Sequence, residues 1–403
     1  LLPNRAFETD RRERTLDVRC AAGEVLRAMS SIDLLRPTCD ITRQSTMVLA
    51  AALIAISLKA AGQPPVAPTL QTRLDGLLAP LSKGAAPGCA AGIIKEGRWV
   101  ARGGYGLASI ERGVRITPDT IFYAASVSKQ FTAAALLRLV ELGKASLDDD
   151  VRNYLPELPE YLPPITIRHL VYQTSGLPDY YRLVAEARRD LVKNPPSREE
   201  VLVMIAKAKP INSAGELYRY SSSNYFLMGE IIRRASGKSL RDFAREALFK
   251  PLGMKDTQYY DDPSIEVPGR AVGYVTQGRE KYGVVKTSFA LVGAGGLLTT
   301  VNDLGKWTRV FDDPNAIPSS PRLGARMMER GATSDGKATN YAAGLIHDRI
   351  QDMDVVHHNG FFYGYVATFT WVPEKRMGLF ALCNWSEAPD TLLQGQMLRE
   401  GLR

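Results

Sequence analysis

The chain has 403 residues, 45% of them hydrophobic and 23% charged, with a formal net charge of +8. That is the composition of an ordinary globular protein, long enough for one large core or two smaller ones. The basic residues are scattered and form no block interleaved with aromatics, which argues against a nucleic-acid partner. A mildly basic surface suits anionic surroundings such as a bacterial envelope.

The N-terminal part differs from the rest. Residues 1–44 are rich in Arg, begin without Met and show no sustained apolar period, so 1–46 reads as a leader or as mis-called coding sequence. Arg43 then precedes an apolar run at 47–56 and small residues to 61. A basic residue, an apolar run of about ten and a small-residue tail match a secretory signal. The run falls short of the about 20 residues that a membrane span needs, and no Cys follows it to take a lipid. Residues 47–61 are therefore expected to be a signal peptide, with the true start near Met47 and a secreted or periplasmic product. A buried N-terminal helix is the other reading. The mature domain is expected at 62–403, entered through a stiff Pro-rich linker at 63–68. Cys20 and Cys39 fall in the leader, whereas Cys89 and Cys383 lie in strand-like stretches and can pair if the protein is exported. No Cys/His cluster has metal-ligand spacing, so no metal or other cofactor is expected.

Residues 70–81 have the apolar spacing of an amphipathic helix. Residues 88–94 and 98–106 flank a Gly-containing turn and read as a hairpin. A short apolar lead-in at 121–125 opens a long helix that ends near Gly143. From 147 to about 249 the pattern is helical, broken by Pro and Gly, with helices at 168–172, 198–208, 224–235 and 239–248. Turns and short strands follow through 271–275, then a helix at 300–307. Strand patterns return at 354–358, 365–372 and 377–383, and a last helix spans 390–401. This order predicts an α+β fold. Early and late segments form one antiparallel sheet flanked by N- and C-terminal helices. A large helical lobe at about 135–290 is inserted between sheet segments at about 68–125 and 291–403. A cleft between two lobes is the default place for a site, and Ser126 lies at the seam.

Ser126 and Lys129 are three apart and share one helix face. A lysine there is partly desolvated and feels the positive end of the helix dipole, and both effects favour the neutral amine. A neutral amine beside a hydroxyl is a general base beside a nucleophile. The plainer alternative is a helix-capping serine with a lysine pointing to water. Four further stretches stand out. Residues 169–180 read as a helix end followed by a Gly-Pro loop. Residues 218–229 place Tyr220 before a Ser-Ser-Ser-Asn turn. Residues 293–300 form a glycine-dense loop without the Gly-Lys-Ser/Thr ending of a phosphate loop. In 357–365, Gly360 and Gly364 let a strand edge come close to a ligand.

In this order the stretches resemble the serine β-lactamase and penicillin-binding protein superfamily, and look most like its class C-like branch of β-lactamases, carboxylesterases and D-amino-acid peptidases. The resemblance covers about residues 70–402. Ser126 to Lys129 look like the family's Ser-x-x-Lys motif. Tyr220, Ser221 and Ser222 fall where the family has Tyr-x-Asn. His358, Asn359 and Gly360 fall where it has Lys-Thr-Gly or His-x-Gly. The resemblance implies a serine hydrolase in which Ser126 attacks an acyl carbonyl, Lys129 and Tyr220 share the proton transfers, and the backbone N–H groups of Ser126 and Phe361 form the oxyanion hole. Ser222, Asn224, His358, Asn359 and Gly360 would contact a small-molecule or peptide acyl substrate. Two departures stand out: Ser222 replaces an Asn, and His358 replaces a Lys. A serine offers fewer hydrogen bonds than an amide, and a His is mostly neutral at pH 7. The expectation is therefore an esterase or D-amino-acid peptidase-like enzyme. The alternatives are a class C-type β-lactamase and a catalytically weak relative that binds a cell-wall ligand.

Overall fold

The computed structural model describes residues 69–402 apart from positions 83, 188, 279, 280 and 287. The expected leader, signal peptide and linker, up to residue 68, lie outside the described residues.

A six-stranded sheet frames the described part of the chain. Its strands are β1 (Cys89–Lys95), β2 (Arg98–Tyr105), β3 (Ile346–Ile350), β4 (Met353–Phe362), β5 (Tyr365–Val372) and β6 (Met377–Cys383). Their spatial order is β3-β4-β5-β6-β1-β2, with every neighbouring pair antiparallel. The early hairpin thus joins the late strands through β1 and β6. Cys89 faces Cys383 in that register, and the two form a disulfide.

Successive strand residues point to opposite faces. Cys89, Ala91 and Ile93 of β1 enter one core, with Leu379 and Ala381 of β6. Ala90 and Ile94 enter the other, with Phe380 and Leu382. Both faces are covered, so β1 and β6 are apolar throughout and show little alternation. The first face packs under two helices, α1 (Leu70–Leu78) and α4 (Asp390–Leu402), through Leu74, Leu78, Met397 and Leu398. The second face meets the long helix α2 (Ser128–Glu141) and the helix Val301–Trp307.

Helix α2 is buried from Ser128 to Leu139, with Phe131, Leu136, Leu137 and Leu139 in the core. Three alanines, Ala133 to Ala135, let α3 (Ser222–Ser236) pack beside it. Gly143, in the left-handed region at φ +68, ends the helix. The lead-in is a short strand, Phe122–Tyr123, in a three-stranded sheet with Leu297–Thr299 and Gln258–Tyr259.

Two differences from the expected elements have physical causes. Strand β4 is longer than the expected 354–358, because it continues past Gly360 and pairs with β5 as far as Phe362. Strand β3 was not expected. Its sequence, Ile-His-Asp-Arg-Ile, mixes charge into an edge strand, which guards the open edge but erases the apolar signal.

Candidate active site

Strand Phe122–Tyr123 hands the chain to a single 3₁₀ turn, Ala125–Val127, which runs directly into α2. The Ala124 N–H donates to the Leu297 carbonyl at 2.8 Å and anchors the start of the turn. Ala125 has φ +47, a left-handed conformation costly for a residue with a Cβ. This strained step presents Ser126, half-buried, to a cavity of about 720 Å³. Tyr220, Ser222, Phe361, Phe362, Tyr363 and Asp179 also line it.

Lys129 is completely buried. Its Nζ lies 3.0 Å from Ser126 Oγ and donates to the Ala294 carbonyl at 2.7 Å. The rings of Tyr220 and Tyr225 stand 5.0 and 5.9 Å from the Nζ. Desolvation lowers the Lys129 pKa to about 7, while the negative charge of Asp179 works in the opposite sense. A neutral Nζ can keep its bond to Ala294 and turn its lone pair to the Ser126 hydroxyl.

The glycine-dense loop explains how this lysine is held. Gly293 has φ +106, and a Cβ there would lie 2.3 Å from the Tyr225 carbonyl, so only glycine lets the loop come close enough to bring the Ala294 carbonyl to Lys129. Tyr123 Oη accepts from the Gly296 N–H at 2.9 Å, and Ser128 Oγ accepts from the Leu297 N–H at 3.1 Å.

Tyr220 bonds to Ser126, and burial pushes its phenol well above the usual value near 10. Its phenolate is therefore disfavoured, and of the two groups bonded to Ser126 the lysine is the one suited to take a proton. Gly360 of β4 runs against the turn. A Cβ on it would lie 2.5 Å from the Ala124 carbonyl and 2.9 Å from the Ser126 nitrogen. This contact brings the β4 backbone at Gly360 against the Ser126 nitrogen, with Phe361 next in the strand. The Phe361 side chain is 61% exposed at the cavity mouth.

The structure thus brings Ser126, Lys129, Tyr220, Ser222, Gly360 and Phe361 together. Three residues expected to contact substrate are placed elsewhere. Asn224 is fully buried: its Nδ2 donates to Gln173 Oε1 and its Oδ1 accepts from Ser175 Oγ, both at 2.5 Å. Within the first turn of α3, it points into the packed helices and ties 173–175 to α3. Asn359 alternates to the far face of β4, where its Nδ2 lies 3.5 Å from Gln394 Oε1 on α4. His358 is on the correct face but is 97% covered. Its Nδ1–H donates to the Asn359 carbonyl at 2.6 Å, which leaves Nε2 bare, 3.4 Å from the Tyr341 hydroxyl. Desolvation and the neighbouring Lys129 lower its pKa to about 3, so it is neutral and holds no carboxylate.

Sequence reasoning missed Asp179 and Tyr341. Asp179 follows Gly-Leu-Pro and caps the helix Tyr180–Glu186, so its pattern reads as a turn. Tyr341 packs against His358 and Tyr220 from a segment with no motif, and nothing local in the sequence marks it.

A serine within hydrogen-bond reach of a buried lysine and of a tyrosine, on one cavity with Phe361, is an arrangement suited to acyl transfer. The chain belongs to the beta-lactamase family, whose profile matches residues 71–399. A D-aminopeptidase of Gluconobacter oxydans (strain 621H) is 28% identical over 302 residues, covering 75% of this chain. The chain spans only 56% of that relative's length. The octameric penicillin-binding protein homologue from Pyrococcus abyssi superposes with a TM-score of 0.70 at 26% identity, over 83% of this chain and 76% of that one. The D-amino acid amidase of Ochrobactrum anthropi SV3, solved with L-phenylalanine amide, has a TM-score of 0.68 over 82% of this chain and 98% of its own. Its identity is 22%, and the likeness is one of fold.

Proposed function

We propose that this protein is a serine hydrolase that cleaves ester or small amide bonds through an acyl-enzyme, in the manner of an esterase or D-amino-acid peptidase. One observation carries the reading: a fully buried Lys129, its pKa lowered to about 7, lies 3.0 Å from Ser126 Oγ. In the first half-reaction Ser126 Oγ bonds to the acyl carbon as its proton passes to Lys129 Nζ. The carbonyl oxygen takes the negative charge, facing the N–H groups of Ser126 and Phe361. The bond to the leaving group then breaks, and the leaving group takes a proton through the Tyr220 hydroxyl. Water repeats the sequence on the ester and frees Ser126. Removing one oxyanion donor in such a site typically costs about 10²–10³ in rate.

The relatives support the substrate class, since one is named a D-aminopeptidase and another a D-amino acid amidase. The neutral, buried His358 weighs against efficient β-lactam turnover, because it offers no fixed cation to a carboxylate. Export to the periplasm or beyond, with contact to the cell envelope, is part of the same proposal. The Cys89–Cys383 disulfide supports it, as such bonds persist in oxidising compartments.

Labelling decides the matter. A fluorophosphonate probe should label Ser126 in the wild type and not in Ser126→Ala, and a fluorescent penicillin should label weakly or not at all. Ester turnover by a folded Ser126→Ala protein would end the assignment. Strong, rapidly released penicillin label would favour the β-lactamase reading.

A further inference from the structure

The acyl-transfer steps give no role to one charged group of the cavity wall, Asp179. Three other charged side chains line the cavity, and each has partners of its own. Arg182 pairs with Glu186 at 3.1 Å, and Arg189 with Glu200 at 2.8 Å. Asp190 accepts from the Val192 and Lys193 N–H groups at 2.7 and 3.0 Å. Asp179 is placed differently. Its Oδ1 accepts from the Tyr181 N–H at 2.8 Å and its Oδ2 from the Ser222 N–H at 2.6 Å. Two backbone donors from separate helices hold the carboxylate rigid. A carboxylate has about four acceptor directions, so two remain. Among the described residues no lysine or arginine forms an ion pair with it. It is bonded to Ser222, which stands two residues after Tyr220, and it lines the same cavity as Ser126. Its charge also reaches the reaction centre, where it opposes loss of the Lys129 proton and ionisation of Tyr220.

We propose that Asp179 receives the ammonium group of the substrate, so that the preferred acyl donor carries a free amine close to the scissile carbonyl, as an aminoacyl amide or ester does. The inference rests on the serine-hydrolase reading and specifies its substrate. An ammonium docked there makes charge-assisted bonds to a pre-positioned carboxylate, which are the stronger kind. An acyl donor with a carboxylate in the same position meets like charge. The two arginines on the cavity wall are paired with Glu186 and Glu200, and His358 is neutral and buried.

The test compares two substrates that differ only in the amine, alanine 4-nitroanilide (each enantiomer) and propionyl 4-nitroanilide. The readout is the ratio of their kcat/KM values, in which any general damage to the site cancels. The wild type should favour one alanine enantiomer by about tenfold or more, and Asp179→Asn should reduce that ratio by about tenfold. A ratio unchanged within about twofold overturns the inference. A second measurement needs no variant. Alaninamide should inhibit wild-type turnover of 4-nitrophenyl butyrate at pH 6.5 at least several-fold better than propionamide, and equal inhibition also overturns it. If Ser126 is acylated by the butyrate ester and the ratio does not move, Asp179 alone is refuted. If no probe or ester acylates Ser126, the hydrolase reading falls and takes this inference with it.

Discussion

The pH dependence of acylation follows from the environment of one lysine. Only the neutral amine of Lys129 can take the Ser126 proton. Burial brings its pKa from the ordinary 10.5 to about 7. At pH 7 about half of such a side chain is neutral, against roughly one part in three thousand for a free lysine. The sign is fixed: as pH falls below 7 the ammonium returns and the rate falls with it. For an uncharged ester, kcat/KM should therefore rise through a midpoint near pH 7 and level off by about pH 8.5. Asp179 supplies a test of the cause, because its negative charge favours the ammonium form. In Asp179→Asn the midpoint for the same ester should move to lower pH. Stopped-flow or steady-state assays from pH 5 to 9.5 measure both. A profile flat across that range, or a midpoint above pH 9, would refute the buried-base argument, and a midpoint that moves upward in Asp179→Asn would refute the assigned electrostatics.

Further outcomes are expected elsewhere in the chain. The same lysine costs stability: the unfolded side chain keeps its proton to about pH 10.5, the folded one only to about 7, and the cost is relieved as pH rises between them. Lys129→Met should therefore raise Tm at pH 6 by more than at pH 10, and an equal change at both would contradict the shift. In Gly360→Ala the new Cβ must push against the Ala124 carbonyl and the Ser126 nitrogen. A loss of about 10²–10³ in kcat with a folded protein is expected, and near wild-type kcat would show that Gly360 does not set the oxyanion site. Breaking the Cys89–Cys383 bond releases a link between positions 294 residues apart. The double Ser variant should lose about 2–5 kcal/mol in denaturant titration, and an unchanged midpoint would deny the bond a stabilising role.

Several features were legible in the chain because they are local. Alternation and apolar runs disclosed β1, β5 and β6. The apolar repeat through Ala133, Leu137 and Val140 disclosed α2. The three-residue spacing of Ser126 and Lys129 put both on one helix face before any fold was known. Residues whose role depends on which face or neighbour they meet were less legible. Asn224 and Asn359 stand beside the right motifs, yet helix phase turns one into the core and strand alternation turns the other toward α4. Asp179 has the sequence pattern of a helix cap, which it is, and only the approach of Ser222 puts it on the cavity wall.

The sequence by itself determined that Ser126 and Lys129 are neighbours, and the elements that carry them, since a three-residue spacing through a helical start puts two side chains on one face. The tertiary structure decided what that lysine is. Its base strength depends on the exclusion of water around it, where the rings of Tyr220 and Tyr225 stand, and on the charge of Asp179, 50 residues further on. The same holds for His358, whose pattern suggests a substrate contact. Packing against Tyr341 and Tyr220 buries it and removes its charge. Desolvation belongs to no single segment, and it arises only when distant ones close around a group.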